Sequence, residues 1–477
     1  MALVKDIKNR LKAHSIRRII NLMANASDKN LIRMTKIAEH LTNNQDIKNQ
    51  ARELRRYFQE GHPSVELGKK VLERLNGNCR KKLINNFFIN AGILGREKCE
   101  EFRKIEGFEP PWFLLLSPTM RCNLNCKGCS TREFDSATDL DRQVLDRVLN
   151  EAKNELGIYF IVTLGGEMFV REDIFDIWKT HNDMYFQIYS NGTLIDREKA
   201  KKLAEVGNVT VCFSVEGFEK ETDARRGKGV WNKVMEAMDN LKEAGVPYGF
   251  SCTMTRYNAD IITSDEFIDF MIKKGCIIGW YFQYIPIGKN PDINLMPTPQ
   301  QRNQLRKMVM RVRNTKPLFL GDFWNDGPYV GGCIAGGRQY LHINNRGEVE
   351  PCGFVHFTVD GLNVYEKSLK EILKSPFYTE MRRRVQAQGC QDRYSDNMLT
   401  PCMIIDQPWV LRELVEKHRA YATDGGDRLL SGEVARGLDE YSKRIHAIYD
   451  KIWEEEYSEY AKKYREEFQK DQEKTVV

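Results

Sequence analysis

No run of eighteen or more apolar residues occurs in this chain of 477, which excludes a helix long and greasy enough to cross a bilayer. The opening residues, Met1-Ala-Leu-Val-Lys-Asp, lack the apolar core of a secretory signal, so a reducing, cytoplasmic setting is expected. Twelve cysteines in that setting suit metal ligation better than a disulfide framework. No tryptophan stands before Trp112, so the N-terminal part lacks the usual anchor of an interfacial helix. Charge is unevenly spread. Met1–Glu109 holds 23 Lys+Arg against 13 Asp+Glu, while the whole chain is only +6, so the remainder is net acidic. No nucleic-acid partner is expected.

The stretch around which the rest is arranged is Cys122-Asn-Leu-Asn-Cys126-Lys-Gly-Cys129. It follows an apolar run, Phe113 to Leu116, and precedes a helix-like segment from about Asp139. That order reads as strand, thiolate-bearing loop, helix. Soft thiolates on one loop suit an iron–sulfur cluster or zinc. Three local ligands leave a fourth position open, whereas a structural zinc would be closed by a fourth protein ligand.

The organisation around the loop is regular. Residues 1–108 read as a basic helical extension, with Leu11, Ile16, Ile19, Ile20 and Met23 at helical spacing, then Leu31, Met34, Ile37 and Leu41. A helical cap packed on the main domain is the favoured reading. A surface for anionic lipid or an acidic partner is the alternative, with the segment Cys79 to Ile89 as its basic, apolar stripe. From 109 to 290, strand-like and helix-like segments alternate. The strands are expected at Phe113–Ser117, Ile158–Leu164, Tyr185–Tyr189, Asn208–Phe213, Tyr248–Thr253 and Ile278–Gln283. Six such units imply a parallel sheet with helical crossovers, whose sites lie at the C-terminal strand ends. Residues 291–415 form a cysteine-bearing region and 416–477 a helical tail, striped by Tyr441, Ile445, Ile448, Ile452 and Tyr457. Cys79, Cys99, Cys212, Cys252 and Cys276 read as structural.

The residues at those strand ends carry a resemblance. Gly165-Gly166-Glu167 follows the second strand, Ser190-Asn191-Gly192 the third, Ser214-Val215-Glu216-Gly217 the fourth and Arg225-Arg226 soon after. Together with the cysteine loop they resemble the radical S-adenosylmethionine (radical SAM) enzymes. The resemblance implies a partial (β/α)6 barrel and a [4Fe–4S] cluster held by Cys122, Cys126 and Cys129. The open iron of that cluster binds S-adenosylmethionine. On reduction the family cleaves this cofactor to a 5′-deoxyadenosyl radical that abstracts hydrogen from an unactivated carbon. By the same resemblance Gly165, Gly166 and Glu167 meet the methionyl amine, and Asn191 belongs to the turn beside it. Ser214 and Glu216 meet the ribose, Arg226 the methionyl carboxylate, and Thr253 and Ile285 line the nucleoside side. One position departs from the pattern. The residue before the last cysteine is commonly an aromatic packed on adenine, and here it is Gly128, with Phe134 a candidate replacement.

Further on, Cys333, the Asn344-Asn345-Arg346-Gly347 turn and Cys352 are similar to the start of the SPASM or twitch extension, which holds an auxiliary iron–sulfur cluster. Only Cys333, Cys352, Cys390 and Cys402 follow residue 290, enough for one [4Fe–4S] cluster. Cys402 is the expected third ligand, with Cys390 or His356 as the fourth or that position open for substrate. A zinc site from the same residues is the alternative. The layout implies an enzyme acting on a peptide or lipid, fed by an electron donor such as flavodoxin or ferredoxin, with peripheral membrane contact as an option. A non-catalytic metal-binding scaffold is the competing class. No catalytic residue is assigned from sequence.

Overall fold

The structure, a computed structural model, describes residues 28–40, 45–131, 137–288, 290–385, 397–424, 426–459 and 462. The expectations placed on Leu11 to Met23, on Leu41, on Phe134 and on Cys390 lie outside these residues, and those on the side chains of Met34 and Ile37 do too.

Six apolar segments form the expected strands: β1 Phe113–Leu116, β2 Phe160–Thr163, β3 Tyr185–Ser190, β4 Val209–Ser214, β5 Tyr248–Met254 and β6 Ile278–Gln283. They pair in parallel in chain order, with Leu115 opposite Val162 and Ile188 opposite Val211. Helices cross between them. Asp141 starts the helix Arg142–Asn154 by accepting the N–H groups of Gln143 and Val144. Gly245 ends the helix Val230–Ala244 at φ 68, a left-handed turn natural to glycine. A side chain there would also meet the backbone nitrogen of Asn76 at 2.6 Å. This is the partial parallel barrel the sequence implied.

The sheet extends beyond six strands. β7 Phe319–Asp322 adds in parallel to β6. On the other edge β8 His342–Ile343 lies parallel to β1, and β9 Val349–Glu350 folds back antiparallel on β8. The hairpin of the cysteine-bearing region is therefore part of the barrel sheet. A separate antiparallel pair joins β10 Phe357–Thr358 to β11 Tyr421–Ala422.

The N-terminal helices from Pro63 to Glu106 close the opposite, N-terminal end of the barrel. Asparagines do much of the joining. Asn76 N–H donates to Gly245 O at 3.0 Å, Asn78 to Glu205 O at 2.7 Å, and Asn86 to Met184 O at 2.9 Å. Leu83–Leu94 is wound as a π-helix. Within the stripe offered as a lipid surface, Cys79, Ile84 and Ile89 are buried. Burial supplies the usual stabilisation of such side chains, about 25 cal/mol per Å², and removes them from contact with a bilayer. No helix among the described residues is long and apolar enough to cross a membrane.

The helix Gly432–Glu456 buries Tyr441, Ile445 and Ile452. It lies against the helix Pro299–Thr315, where Arg306 pairs with Glu456 at 2.8 Å and Arg302 covers the Tyr449 ring.

Candidate active site

The cysteine loop leaves β1 and is pressed onto the turn after β2. Gly166 N–H donates to Thr119 O at 2.9 Å and Glu167 N–H to Arg121 O at 2.8 Å. The approach requires glycine: a Cβ on Gly166 would stand 1.9 Å from Arg121 O, and one on Gly165 2.4 Å from Thr119 O. Close packing of loop on turn is thus one physical reason for the Gly-Gly pair.

A cavity of about 200 Å³ opens at the C-terminal strand ends. It is walled by Cys122, Cys126 and Cys129 together with Gly165, Gly166, Asn191, Ser214, Arg226, Thr253 and Ile285. These residues come from loops or strands up to 163 positions apart in sequence order, from Cys122 to Ile285. Ser251 and Thr253 both reach it, as alternate residues of one strand must if one does.

The two acids expected at the cofactor stand behind the cavity wall. Glu167 is buried and absent from the cavity wall. Its carboxylate accepts Ser190 Oγ–H at 2.9 Å and Asn191 N–H at 2.8 Å. It holds the turn after β3, and burial pushes its pKa up. Glu216 is also off the wall. It accepts from Arg225 at 2.5 Å, from Arg226 Nε at 2.9 Å and from Thr253 N–H at 3.2 Å. Glu216 therefore aims two guanidinium groups at the cavity, while Ser214 offers the hydroxyl. Arg225 was not among the expected site residues, yet it lines the cavity and also donates to Lys127 O at 3.2 Å. The Arg225-Arg226 run was its signal.

The thiols fit a cluster's needs. Burial raises the Cys126 pKa, and the Arg226 guanidinium draws it back toward thiolate. Leu124 N–H and the Asn191 amide face the Cys122 sulfur at 3.5 and 3.8 Å. Such donors stabilise cluster thiolates. The ring beside Gly128 is Tyr284, at the end of β6.

Two further residues of the wall were missed: Ser117 and His342. Ser117 Oγ meets His342 Nε2 at 2.7 Å, and His342 Nδ1 meets Glu350 Oε2 at 2.7 Å. Burial raises the Glu350 pKa but the His342 charge and hydrogen bond lower it more, leaving it below the usual range. A carboxylate at 350 makes Nδ1 the donor, and Nε2 faces the Ser117 hydroxyl. The residues are 225 apart in sequence, and nothing local to either marks the pair.

A second group of thiols lies nearby. Cys333, Cys352 and Cys402 are each pushed up to about 12 by burial, and ionising one raises another. Backbone N–H groups face the sulfurs: Ala335 toward Cys333, Phe354 and Val355 toward Cys352, and Ile404 and Ile405 toward Cys402. Buried thiols so supplied with donors suit ligation by a metal cluster, which replaces the lost proton. His356, one of the alternatives for the fourth ligand, already has partners at both ring nitrogens. Its ring nitrogens are taken by Asp424 at 2.5 Å and Gly353 O at 3.0 Å. Gly353 and Phe354, directly after Cys352, wall the first cavity. The two thiol groups therefore share a partition.

Comparison with known proteins agrees with this geometry. Residues 116–271 match the Radical SAM superfamily, and residues 333–404 match SPASM, an iron–sulfur cluster-binding domain. The mycofactocin maturase MftC of Mycolicibacterium smegmatis is 29% identical over 270 residues, covering 54% of this chain and 67% of that protein. The Fe-coproporphyrin III synthase of Methanosarcina barkeri is 32% identical over 225 residues, covering 44% of this chain and 56% of that one, just over half its length. In three dimensions the chain is similar to Streptococcus suis SuiB bound to its precursor peptide SuiA, with a TM-score of 0.51 at 18% identity over 69% of this chain and 80% of that one.

Proposed function

This chain belongs to the radical SAM superfamily and carries a SPASM iron–sulfur domain, and from that membership we propose that it modifies a peptide. Its cofactors are a [4Fe–4S] cluster, S-adenosylmethionine and an auxiliary iron–sulfur cluster. Cys122, Cys126 and Cys129 would hold the first cluster. Cys333, Cys352 and Cys402 would hold the auxiliary one, with Cys390 as a candidate fourth ligand. When bound and reduced, cluster and cofactor supply a 5′-deoxyadenosyl radical that takes hydrogen from an unactivated carbon.

The protein's own groups prepare the site for this. Arg226, aimed by Glu216, would receive the methionyl carboxylate, and the Gly165-Gly166 backbone the amine. Ser214 and Thr253 would meet the nucleoside, and Ile285 would cover it. Ser117, with His342 behind it, would present its hydroxyl to the cavity. An electron donor such as flavodoxin or ferredoxin would deliver the electron.

The observation that carries the substrate reading is the shared partition. Gly353 and Phe354 separate a small cavity, about 200 Å³, from the auxiliary thiols. A side chain presented on a peptide would reach this partition between the two thiol groups. The relatives named maturase and the fold shared with a precursor-peptide enzyme support the same reading. The burial of Cys79, Ile84 and Ile89 leaves the membrane-lipid reading with less to rest on. Mass spectrometry of peptide and lipid fractions from cells with and without the gene tests it. A gene-dependent mass change confined to peptides is expected, and a change confined to lipids overturns the proposal.

A further inference from the structure

Tyr340 precedes β8 and is fully buried. Its hydroxyl lies 2.9 Å from the sulfur of Cys352. That sulfur is the hydroxyl's one hydrogen-bond partner among the described residues. The ring is stacked on Phe113 at 4.9 Å and edges Phe323 at 6.2 Å. Phe323 in turn packs on Phe282, a residue of the cavity wall. The O–H···S contact thus sits in a dry aromatic setting, where a hydrogen bond is electrostatically stronger than in water.

We propose that Tyr340 sets the reduction potential of the auxiliary cluster through its hydrogen bond to Cys352. The inference rests on the reading of Cys352 as a cluster ligand. A ligating cysteine has lost its proton, so the phenol must be the donor. Hydrogen bonds to cluster sulfurs are one of the protein's controls over potential. A donor stabilises the extra negative charge of the reduced cluster more than the oxidised one, and so raises the potential. An ordinary phenol, with a pKa of about 10, keeps its proton at neutral pH. Among the described residues, the N–H of Ala335 faces Cys333 and those of Ile404 and Ile405 face Cys402, backbone donors that a side-chain substitution leaves in place. Tyr340 is a side-chain donor to this group that substitution can remove, and it biases the cluster toward holding an electron.

The test is an EPR-monitored redox titration of anaerobically reconstituted holoenzyme. Tyr340→Phe should retain both clusters and weaken reduction of the auxiliary one by about tenfold, equivalent to about 59 mV more negative for a one-electron couple. The couple of the Cys122-loop cluster should not move and serves as the internal control. An unmoved auxiliary couple with both clusters retained overturns the proposal. Should Tyr340→Phe lose the auxiliary cluster, 2,3,5-trifluorotyrosine at position 340 keeps the ring and strengthens the donor. The potential should then rise, and no change overturns the proposal. Cys352→Ala separates the two ideas. If it keeps the auxiliary signal, the ligand reading itself fails. If it loses that signal while both Tyr340 replacements leave the couple in place, only the role of Tyr340 fails.

Discussion

Tyr284 occupies the space that a side chain at Gly128 would need. A Cβ on Gly128, which sits at φ +62, would lie 2.7 Å from Tyr284 Cε2. The family's usual aromatic before the last cysteine is missing here, and a ring from the end of β6 stands in the same place. Tyr284 is itself fixed by its hydroxyl, which accepts Asp292 N–H at 3.2 Å. The departure in the loop and the tyrosine 156 positions later are two halves of one arrangement.

Gly128→Ala should therefore cost stability twice, through about 1–2 kcal/mol of left-handed backbone strain and through displacement of the Tyr284 ring. Tyr284→Ala relieves the second cost, so the double variant should be less destabilised than the sum of the singles. Urea denaturation of the four proteins measures this coupling. Additive effects would show that ring and loop do not touch.

The two acids should separate by phenotype. Glu167→Gln places an amide among the donors Ser190 and Asn191, so a buried acceptor is lost. A stability loss of about 1–3 kcal/mol is expected. Glu216→Gln instead removes the charge that aims Arg225 and Arg226. It should weaken S-adenosylmethionine binding by about 1.5–3 kcal/mol, the scale of a charge-assisted hydrogen bond, with iron content unchanged. Calorimetric titration of the cofactor into each reconstituted variant distinguishes them. Equal binding losses with equal stabilities would contradict the geometry.

Replacing Cys122, Cys126 and Cys129 together by alanine should halve the iron and abolish formation of 5′-deoxyadenosine from S-adenosylmethionine. The auxiliary EPR signal should remain. Production of 5′-deoxyadenosine by the triple variant would refute the assignment of this loop.

Legibility in the sequence followed the length and locality of each signal. β1 to β6 could be read because each is an apolar run of four to seven residues bounded by turns. β7 could not, since Phe319-Leu-Gly-Asp is short and carries a glycine and an acid. The hairpin around Gly347 was visible from its turn. Its attachment to β1 was not, because that contact is only two residue pairs, Leu115 with His342 and Leu116 with Ile343. Without it, Ser117 and His342 could not be seen as neighbours. The cysteines and Arg226 were legible because their motifs are contiguous. Glu167 and Glu216 were legible as important but not as bracing groups. Whether an acid faces a cavity or a backbone amide depends on the packing of other strands, which no local pattern records.

A pH dependence follows from His356. Burial lowers the pKa of this ring, but the Asp424 hydrogen bond and charge, with Glu350, raise it overall from 6.5 to about 9. A raised folded pKa gives stability that is complete below about pH 6.5 and is lost as pH rises through about 9. The loss should reach at most about 3 kcal/mol. His446 is also raised, again against burial, by Asp450, so the informative quantity is the difference between proteins. Urea midpoints at pH 6, 7.5 and 9 should fall more steeply in the native protein than in His356→Asn. Parallel slopes would mean that the His356–Asp424 pair does not carry the proton.

The turn that presents Cys402 depends on a buried charge. Asp406 Oδ2 accepts Cys402 N–H at 3.1 Å, while the same carboxylate pairs with Arg302 at 2.5 Å. Both side chains are 0% exposed. Arg302 also donates to Leu399 O at 2.6 Å, so one guanidinium ties both sides of the turn to the helix Pro299–Thr315. A buried pair of this kind is not a large net gain over apolar packing, but removing one partner strands the other, at about 3–5 kcal/mol. Arg302→Met leaves Asp406 as an unpaired buried acid beside Cys402. It should destabilise the protein by that amount and lower auxiliary iron selectively, while the Cys122-loop cluster is retained. Asp406→Asn keeps an acceptor for Cys402 N–H but not the charge, so its iron loss should be smaller. Iron analysis with EPR quantitation of each cluster checks the order. Retention of the full auxiliary signal in a folded Arg302→Met protein would show that the turn is held by other means.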